Sequence, residues 1–188
     1  QVLIGTPAAW AFAKWKSKKK KMLFGIYIVL MVMPFQVLMV SEYLVLHKLS
    51  LLDTPWAVIL PGVFATLPVF IMTRFFQIIP DSLLEAARID GASELTIFLK
   101  VGVPLGKAGI LSIIVLGFIE YWNAIEAPLT FLSNKALWTL SLYIPNINQQ
   151  QAGNALAASV VMLIPAVLVF MAGRDYLEAG IAQSGLKG

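Results

Sequence analysis

The chain has 188 residues, of which 59% are hydrophobic and 13% are charged, with a formal net charge of +4 and a mean hydropathy of +0.82. Average soluble proteins have about 45–50% apolar and about 25% charged residues, so this composition excludes a soluble domain and predicts an integral membrane protein. The absence of cysteine excludes disulfides, thiolate metal sites and cysteine nucleophiles, and a single histidine, His47, argues against a histidine-based metal centre.

Five apolar stretches follow in chain order, and a helix needs roughly 20 such residues to cross the hydrocarbon core. They are residues 1–13, 22–41, 54–74, 106–123 and 155–173. The first is a partial span, because the chain starts inside an apolar run and we expect its natural start to be missing. The prolines within 54–74 are compatible with a transmembrane helix, since neighbouring helices satisfy the freed carbonyl groups. We predict an all-α, multi-span helical bundle, a single domain over residues 1–188 that is incomplete at its N-terminus.

The distribution of basic residues predicts the orientation of the spans. If segments 14–21 and 74–107 share one side with the tail 174–188, that side holds 12 of the 14 basic residues. They are Lys14, Lys16, Lys18, Lys19, Lys20, Lys21, Arg74, Arg88, Lys100, Lys107, Arg174 and Lys187. We therefore expect these segments and the C-terminus to be cytoplasmic. The run Lys18–Lys21 has a second interpretation, a patch for nucleic acid or lipid headgroups, but its place beside Met22 favours a topology anchor.

The cytoplasmic segment 80–105 has the pattern of a helix–turn–helix. Ser82 and Glu85 have the spacing of a capping box, which predicts the start of a short helix. Gly91 can adopt positive φ and end that helix, and Ser93 can cap a second one. Two interpretations stay open on physical grounds alone: an amphipathic hairpin on the membrane surface, or a docking site for a cytoplasmic partner.

The same segment carries a motif. Its sequence EAARIDGAS, with a proline downstream, resembles the EAA motif of ATP-binding-cassette importer permeases of the carbohydrate-uptake group, on the residues Glu85, Ala86, Ala87, Asp90, Gly91 and Pro104. Trp122-Asn123 is similar to the Trp-Asn signature of sugar permeases, and the tail 174–188 resembles the ending of the maltose-type second permease. Such permeases usually have six spans, whereas this sequence shows four whole spans and one partial span.

The resemblance implies a fold and a set of partners. The fold is that of type I importer permeases, a multi-pass protein of the bacterial cytoplasmic membrane with segment 80–105 as the coupling segment. The partners are a homologous second permease, an extracytoplasmic solute-binding protein and two nucleotide-binding ATPase subunits, which would carry ATP and magnesium. Gly185 and Lys187 in the tail would contact the ATPase subunits. We expect no nucleic-acid partner.

The chain itself shows no catalytic pattern. Its nearest P-loop candidate, Gly102–Lys107, has three residues between the glycines where four are needed, and Ala108 follows where Ser or Thr should hold magnesium. We expect no enzyme activity, no cofactor and no metal in this chain.

The candidate substrate path is Glu120, Trp122 and Asn123, at the outer end of the fourth apolar stretch, 106–123. Aromatic faces and polar groups in apolar cavities suit sugars, and acids within a membrane usually face a cavity. Trp122 has the alternative of an interfacial aromatic belt. The polar stretch Asn146–Gln151 lies where a solute receptor would dock, or is an ordinary solvated loop.

These observations favour the membrane-spanning subunit of an ATP-driven importer, forming half of the translocation path for a sugar or oligosaccharide. One alternative is the same kind of importer for another small solute, such as an amino acid or a polyol. Another is a secondary carrier or channel without an ATPase, although the mid-bilayer charges that ion coupling needs are missing. A third is a receptor or scaffold that uses the hairpin only for docking.

Overall fold

The computed structural model describes residues 1–15, 17–147 and 151–185, with the backbone alone for 179–185. Every regular element in these ranges is helical. The described chain packs as two compact units. Unit 1 comprises Gln1–Val32, Phe64–Val115 and Gly173–Gly188, and unit 2 comprises Met33–Val63 and Leu116–Ala172. Two of the boundaries coincide with breaks in the helical path, near Pro34 and near Ala65.

The helices vary widely in length. The first six, in chain order, are α1 (Val2–Lys14), α2 (Lys18–Val32), α3 (Phe35–Lys48), α4 (Trp56–Val63), α5 (Thr66–Ile78) and α6 (Asp81–Ile89). The next are α7 (Glu94–Ile97), a π-helical turn (Phe98–Gly102), α8 (Val103–Leu105) and α9 (Lys107–Trp122). The last are α10 (Glu126–Phe131), a 3₁₀ turn (Lys135–Leu137), α11 (Leu140–Tyr143), a second 3₁₀ turn (Ile144–Asn146) and α12 (Ala152–Gly185).

Unit 1 is built around the packing of α1 on α5. Ala9 and Thr73 are fully buried where the two helices meet. The Thr73 hydroxyl donates to the Val69 carbonyl at 2.7 Å, and the Thr6 hydroxyl donates to the Met72 sulfur at 3.2 Å. Small and hydroxyl-bearing residues at this contact are typical of helix pairs in membranes, where they allow close approach.

Unit 2 has a small core of its own. Leu46, Ala57 and Phe131 are buried together, and Phe35, Leu51, Leu52 and Ala127 pack against them. The loop before α4 contributes a polar tie: the Asp53 amide donates to the Phe131 carbonyl at 3.0 Å, and the Asp53 carboxylate accepts the Asn134 amide at 2.7 Å. These bonds satisfy backbone groups in a turn where Asp53 has φ of 60°.

Two described helical stretches are long and apolar enough to cross a membrane: Trp56–Ile78, which comprises α4 and α5, and Ala152–Glu178 within α12. The number rises to four if each of two bent helix pairs forms one span. The predicted span 22–41 is one such pair, with a break between Val32 and Phe35. Pro34 lies in the break as the N-cap of α3, since proline cannot donate to a preceding helical turn. The predicted span 106–123 is the other case, with a 69° bend between Glu94–Leu105 and Lys107–Trp122.

Helix α12 extends beyond the predicted span 155–173. It is continuous to Gly185, so residues 174–185, which the sequence places in a separate tail, begin as a helical extension. The Ser112 hydroxyl donates to the Tyr176 carbonyl, and Leu177 is buried. This part of the tail therefore belongs to unit 1.

Candidate functional site

The first candidate site is the 80–105 hairpin of unit 1. Its first helix, α6, has Pro80 as N-cap and no side-chain cap. The capping-box prediction for Ser82 is therefore wrong: the helix begins at Asp81, so Ser82 lies inside the first turn and not before it. Asp81 itself lies in the first turn, where a carboxylate interacts favourably with the helix dipole.

The turn of the hairpin agrees with the sequence. Gly91 has φ of 81°, as predicted, and its amide donates to the Arg88 carbonyl at 3.0 Å while the Ala92 amide donates to the Ala87 carbonyl at 3.0 Å. Ser93 is the N-cap of α7, and its hydroxyl accepts the Thr96 amide at 3.2 Å. Both ends of the turn thus have their backbone groups satisfied, which makes the hairpin a defined shape.

An exposed ion pair connects the residues on the two sides of this turn. The Arg88 guanidinium donates to the two carboxylate oxygens of Glu94, from Nε at 2.6 Å and from Nη2 at 3.2 Å. These hydrogen bonds lower the pKa of Glu94 and raise the pKa of Arg88. The pair connects the last turn of α6 to the first turn of α7.

The hairpin has a buried side and an exposed side. Leu84 and Ile97 are buried within unit 1, while Glu85, Ala86 and Asp90 of the predicted motif are exposed and Ala87 is half-buried. Ile89 is 87% exposed although it is aliphatic. Ile89 was not among the predicted site residues, although its place next to Asp90 and Gly91 puts it at the tip of the hairpin.

Pro104 lies at the other end of the hairpin and is exposed. The second helix does not stop before it: the π-helical turn leads directly into α8, which contains Pro104. The segment Gly102–Lys107 is therefore helical, with the Gly106 amide donating to the Gly102 carbonyl at 2.8 Å. Backbone amides used in this way cannot hold a phosphate as a P-loop does.

Two residues of α1 contact this hairpin, and neither contact was predicted from the sequence. The Lys14 ammonium donates to the Ile79 carbonyl and, at 3.1 Å, to the Asp81 carboxylate. The Trp10 ring packs 5.7 Å from the Phe98 ring. No local pattern signals these contacts, because their partners lie more than 60 residues away along the chain.

The second candidate site is a cavity of about 330 Å³ within unit 2. The Trp122 indole donates to the Met162 carbonyl at 3.0 Å and stacks on Phe118 with 5.3 Å between the ring centroids. The cavity is mostly apolar with a few hydroxyl and amide groups, and its lining consists of Trp122, Asn123, Ile125, Ser141, Ile144, Pro145, Ser159, Met162, Leu163 and Ala166. Its size and mixed lining are typical of small-molecule sites.

The structure brings two of the three predicted substrate-path residues to this cavity. Trp122 and Asn123 line it, and the Asn123 amide donates to the Ile119 carbonyl at 2.8 Å. Glu120 is exposed and is not among the lining residues. Ser141 and Ser159 line the cavity without having been predicted, since lone serines in apolar stretches carry no distinguishing sequence pattern.

The remaining predicted residues lie elsewhere. Asn146 ends a 3₁₀ turn and donates to the Leu142 carbonyl at 2.7 Å, while residues 148–150 of the polar stretch lie outside the described residues. Gly185 is the last residue of α12, and Lys187 lies outside the described residues. Among residues 1–15, 17–147 and 151–185, no group of three or more His, Cys, Asp or Glu residues could hold a metal ion.

Comparisons with known proteins place the chain in a family. Residues 1–183 match the model of a family described as "binding-protein-dependent transport system inner membrane component". Three curated relatives are similar over most of the chain. The arabinooligosaccharides transport system permease protein AraQ of Halalkalibacterium halodurans is 30% identical over all of this chain and 68% of its own length. The sulfoquinovosyl glycerol transport system permease protein SmoH of Agrobacterium fabrum is 31% identical over all of this chain and 67% of its own.

The third relative is the melibiose/raffinose/stachyose import permease protein MelC of Bacillus subtilis, 30% identical over all of this chain and 70% of its own length. The chain thus spans about two thirds of the length of these relatives. Among solved structures, a bacterial ABC transporter involved in the import of the acidic polysaccharide alginate superimposes with a TM-score of 0.68, at 22% identity, over 99% of this chain and 71% of that one.

The family match covers nearly the whole chain, and the fold of the alginate transporter agrees with it. Both confirm the resemblance and the all-α fold class that the sequence predicts. The chain belongs to the family of binding-protein-dependent transport system inner membrane components, and within it is similar to carbohydrate-import permeases.

Proposed function

We propose that this chain is the membrane-spanning subunit of an ATP-driven importer and forms half of the translocation path for a sugar or oligosaccharide. The observation that carries the proposal is the EAA motif on a well-defined hairpin, with Glu85, Ala86 and Asp90 exposed around the turn at Gly91. The family assignment supports a transport role.

The hairpin would couple this chain to two cytoplasmic ATPase subunits. Ile89 supports this role, because an aliphatic side chain that is 87% exposed at the tip of a hairpin gains free energy when a partner covers it. The motif residues Ala86 and Ala87 leave room for close approach on the same helix. The cytoplasmic orientation of the hairpin rests on the distribution of basic residues. Lys187 and Gly185 would extend the contact with the ATPase subunits through the tail.

The cavity in unit 2 would contribute to the substrate path. Trp122 supplies an aromatic ring and Asn123 and Ser141 supply hydrogen-bonding groups, the combination that suits a saccharide. The three relatives whose names specify a saccharide or a sugar glycoside support a carbohydrate substrate over an amino acid. A homologous second permease would complete the path, and an extracytoplasmic solute-binding protein would deliver the substrate.

The proposal is tested by purifying the chain together with its natural partners and reconstituting the complex in proteoliposomes. We expect nucleotide-binding subunits to co-purify and ATP hydrolysis to rise when the loaded solute-binding protein is added. Ile89→Ser should weaken retention of the ATPase subunit by about ten- to 150-fold, since burying such a side chain contributes about 1.5–3 kcal/mol.

Leu49→Ser is a matched control, because Leu49 is 60% exposed, lies outside the predicted spans at the end of α3, and is distant from the motif in sequence. It should leave retention unchanged. Uptake that proceeds with no ATPase partner would instead identify a secondary carrier or channel. Binding assays on the solute-binding protein, with a panel of oligosaccharides, amino acids and polyols, would identify the substrate class.

A further inference from the structure

We propose that α1 connects both ends of the 80–105 hairpin to the helices of unit 1, and that Lys14 and Trp10 are the positioning residues of this connection. The inference rests on the proposed coupling function. It assigns to α1 the task of transmitting displacement of the hairpin into the membrane-spanning part of the chain.

The two residues share one face of α1. Trp10 and Lys14 are four positions apart within a continuous helix, so their side chains lie one turn apart on the same side. One face of one helix therefore reaches two separate parts of unit 1.

Lys14 holds the start of the hairpin. Its side chain is only 9% exposed, and its ammonium lies 3.1 Å from the Asp81 carboxylate while also donating to the Ile79 carbonyl. Ile79 is the residue at the end of α5 and Asp81 is the first residue of α6. The nearly buried Lys14 ammonium thus bonds to the residues on both sides of Pro80, where α5 ends and the hairpin begins. A lysine is rarely so buried unless it is paired in this way.

Trp10 holds the end of the hairpin. Its ring packs edge-on against Phe76, with 5.3 Å between centroids, and against Phe98 at 5.7 Å. Gly102 is buried beneath the same ring, and a Cβ at Gly102 would lie 2.7 Å from it, closer than two carbon atoms can approach. The indole thus contacts both ends of the π-helical turn Phe98–Gly102, a type of turn that is frequent at functional sites.

Through Lys14 and Trp10, α1 contacts both the start and the end of the hairpin, and we call this arrangement the α1 brace. Because Lys14 bonds to the start of the hairpin and Trp10 packs on its end, the hairpin cannot tilt without moving α1 or breaking one of the contacts. Helix α1 in turn packs on α5 through the buried residues Ala9 and Thr73. Displacement of the hairpin by an ATPase subunit would therefore move α1 and α5 together.

The test uses the complete transporter in proteoliposomes with four variants: Lys14→Met, Lys14→Arg, Trp10→Ala and Gly102→Ala. Three quantities are measured: the amount of ATPase subunit retained, the basal ATPase rate, and the substrate taken up per ATP hydrolysed. Lys19→Met and Trp15→Ala are matched controls of the same residue types, since Lys19 and Trp15 are both exposed. Gly25→Ala is the control for Gly102, because a Cβ there meets nothing within 4 Å.

We expect Lys14→Met, Trp10→Ala and Gly102→Ala to retain the ATPase subunit but to lower uptake per ATP by about two- to 30-fold, the usual effect of substitutions within a coupling network. Lys14→Arg keeps the cation and should recover most of the ratio. A purely structural role would lower abundance in the membrane without changing the ratio in the inserted fraction.

An unchanged ratio in Lys14→Met and in either Trp10→Ala or Gly102→Ala overturns the inference. The two aromatic-contact variants test one contact from opposite sides, so that the result stands if one of them does not insert. Failure of the parent protein to retain any ATPase subunit would refute the proposed function instead, which separates the two outcomes.

Discussion

The conformation of Gly91 offers the sharpest test of the hairpin as a rigid coupling element. With φ of 81°, this residue occupies the left-handed region, which glycine adopts freely and a β-branched residue tolerates poorly. A Cβ added there would meet nothing within 4 Å. The Cβ of Gly91→Val therefore meets no neighbour, and the effect we expect comes from the backbone conformation.

The size of that effect follows from the same facts. A non-glycine residue held in a sparsely populated backbone region costs about 1–3 kcal/mol, which corresponds to about a five- to 150-fold shift away from the native turn. A rearranged turn would change how the two hairpin helices are oriented, because Gly91 lies between the end of α6 and the start of α7. Gly91→Asn should be much milder, since asparagine is enriched in the left-handed region. Gly25→Val is the matched control: it adds the same side chain in open space, inside α2 and without positive φ.

The assay is retention of the nucleotide-binding subunit by the purified chain, together with substrate-stimulated ATPase in proteoliposomes. We expect Gly91→Val to insert normally, since the hairpin lies outside the predicted spans, and then to lose the ATPase subunit or its coupling to uptake. Gly91→Asn and Gly25→Val should stay close to the parent. Full retention and full coupling in Gly91→Val would refute the docking role and favour the hairpin lying on the membrane surface.

Three further predictions concern other parts of the chain. Trp122→Ala should lower uptake at limiting substrate by about five- to 150-fold with assembly intact. Trp138→Ala is the control and should not lower uptake: its indole N–H also donates to a carbonyl, but Trp138 does not line the cavity. Equal uptake in the two variants would place Trp122 in an interfacial belt. Because the pKa of Glu94 is lowered, its pairing with Arg88 stabilises the hairpin at pH values above the ordinary carboxylate pKa of about 4.3, and this stabilisation is lost as the pH falls through the lowered pKa. Proteolysis of the hairpin in detergent should therefore accelerate over that acidic range, and Glu94→Gln should remove this pH dependence. Deleting residues 183–188 should change ATPase stimulation more than membrane insertion, and parental stimulation and uptake in the deletion would show that the tail makes no functional contact.

The membrane class, the helical content and the hairpin could be predicted from the sequence, because each depends on local properties of the chain. Long uncharged apolar stretches form helices in a bilayer, since backbone groups must be satisfied internally there. The positive φ of Gly91 and the cap at Ser93 follow from the conformational preferences of single residues. Ser82 was misplaced because capping-box spacing does not say where a helix starts when Pro80 already precedes it.

Only the tertiary structure decided which side chains meet across the chain. Lys14 and Asp81 lie 67 residues apart, and Trp122 and Met162 lie 40 apart. The hydropathy pattern predicts that the two residues of each contact lie on helices, but it does not predict which faces of those helices touch. Helix contacts in a membrane depend on shape complementarity between small and large side chains, as where Gly62 accommodates the Tyr121 ring, and not on a hydrophobic pattern that every span shares. The brace formed by α1 and the cavity beside Trp122 are therefore properties of the packed helices, which no single segment of the sequence contains.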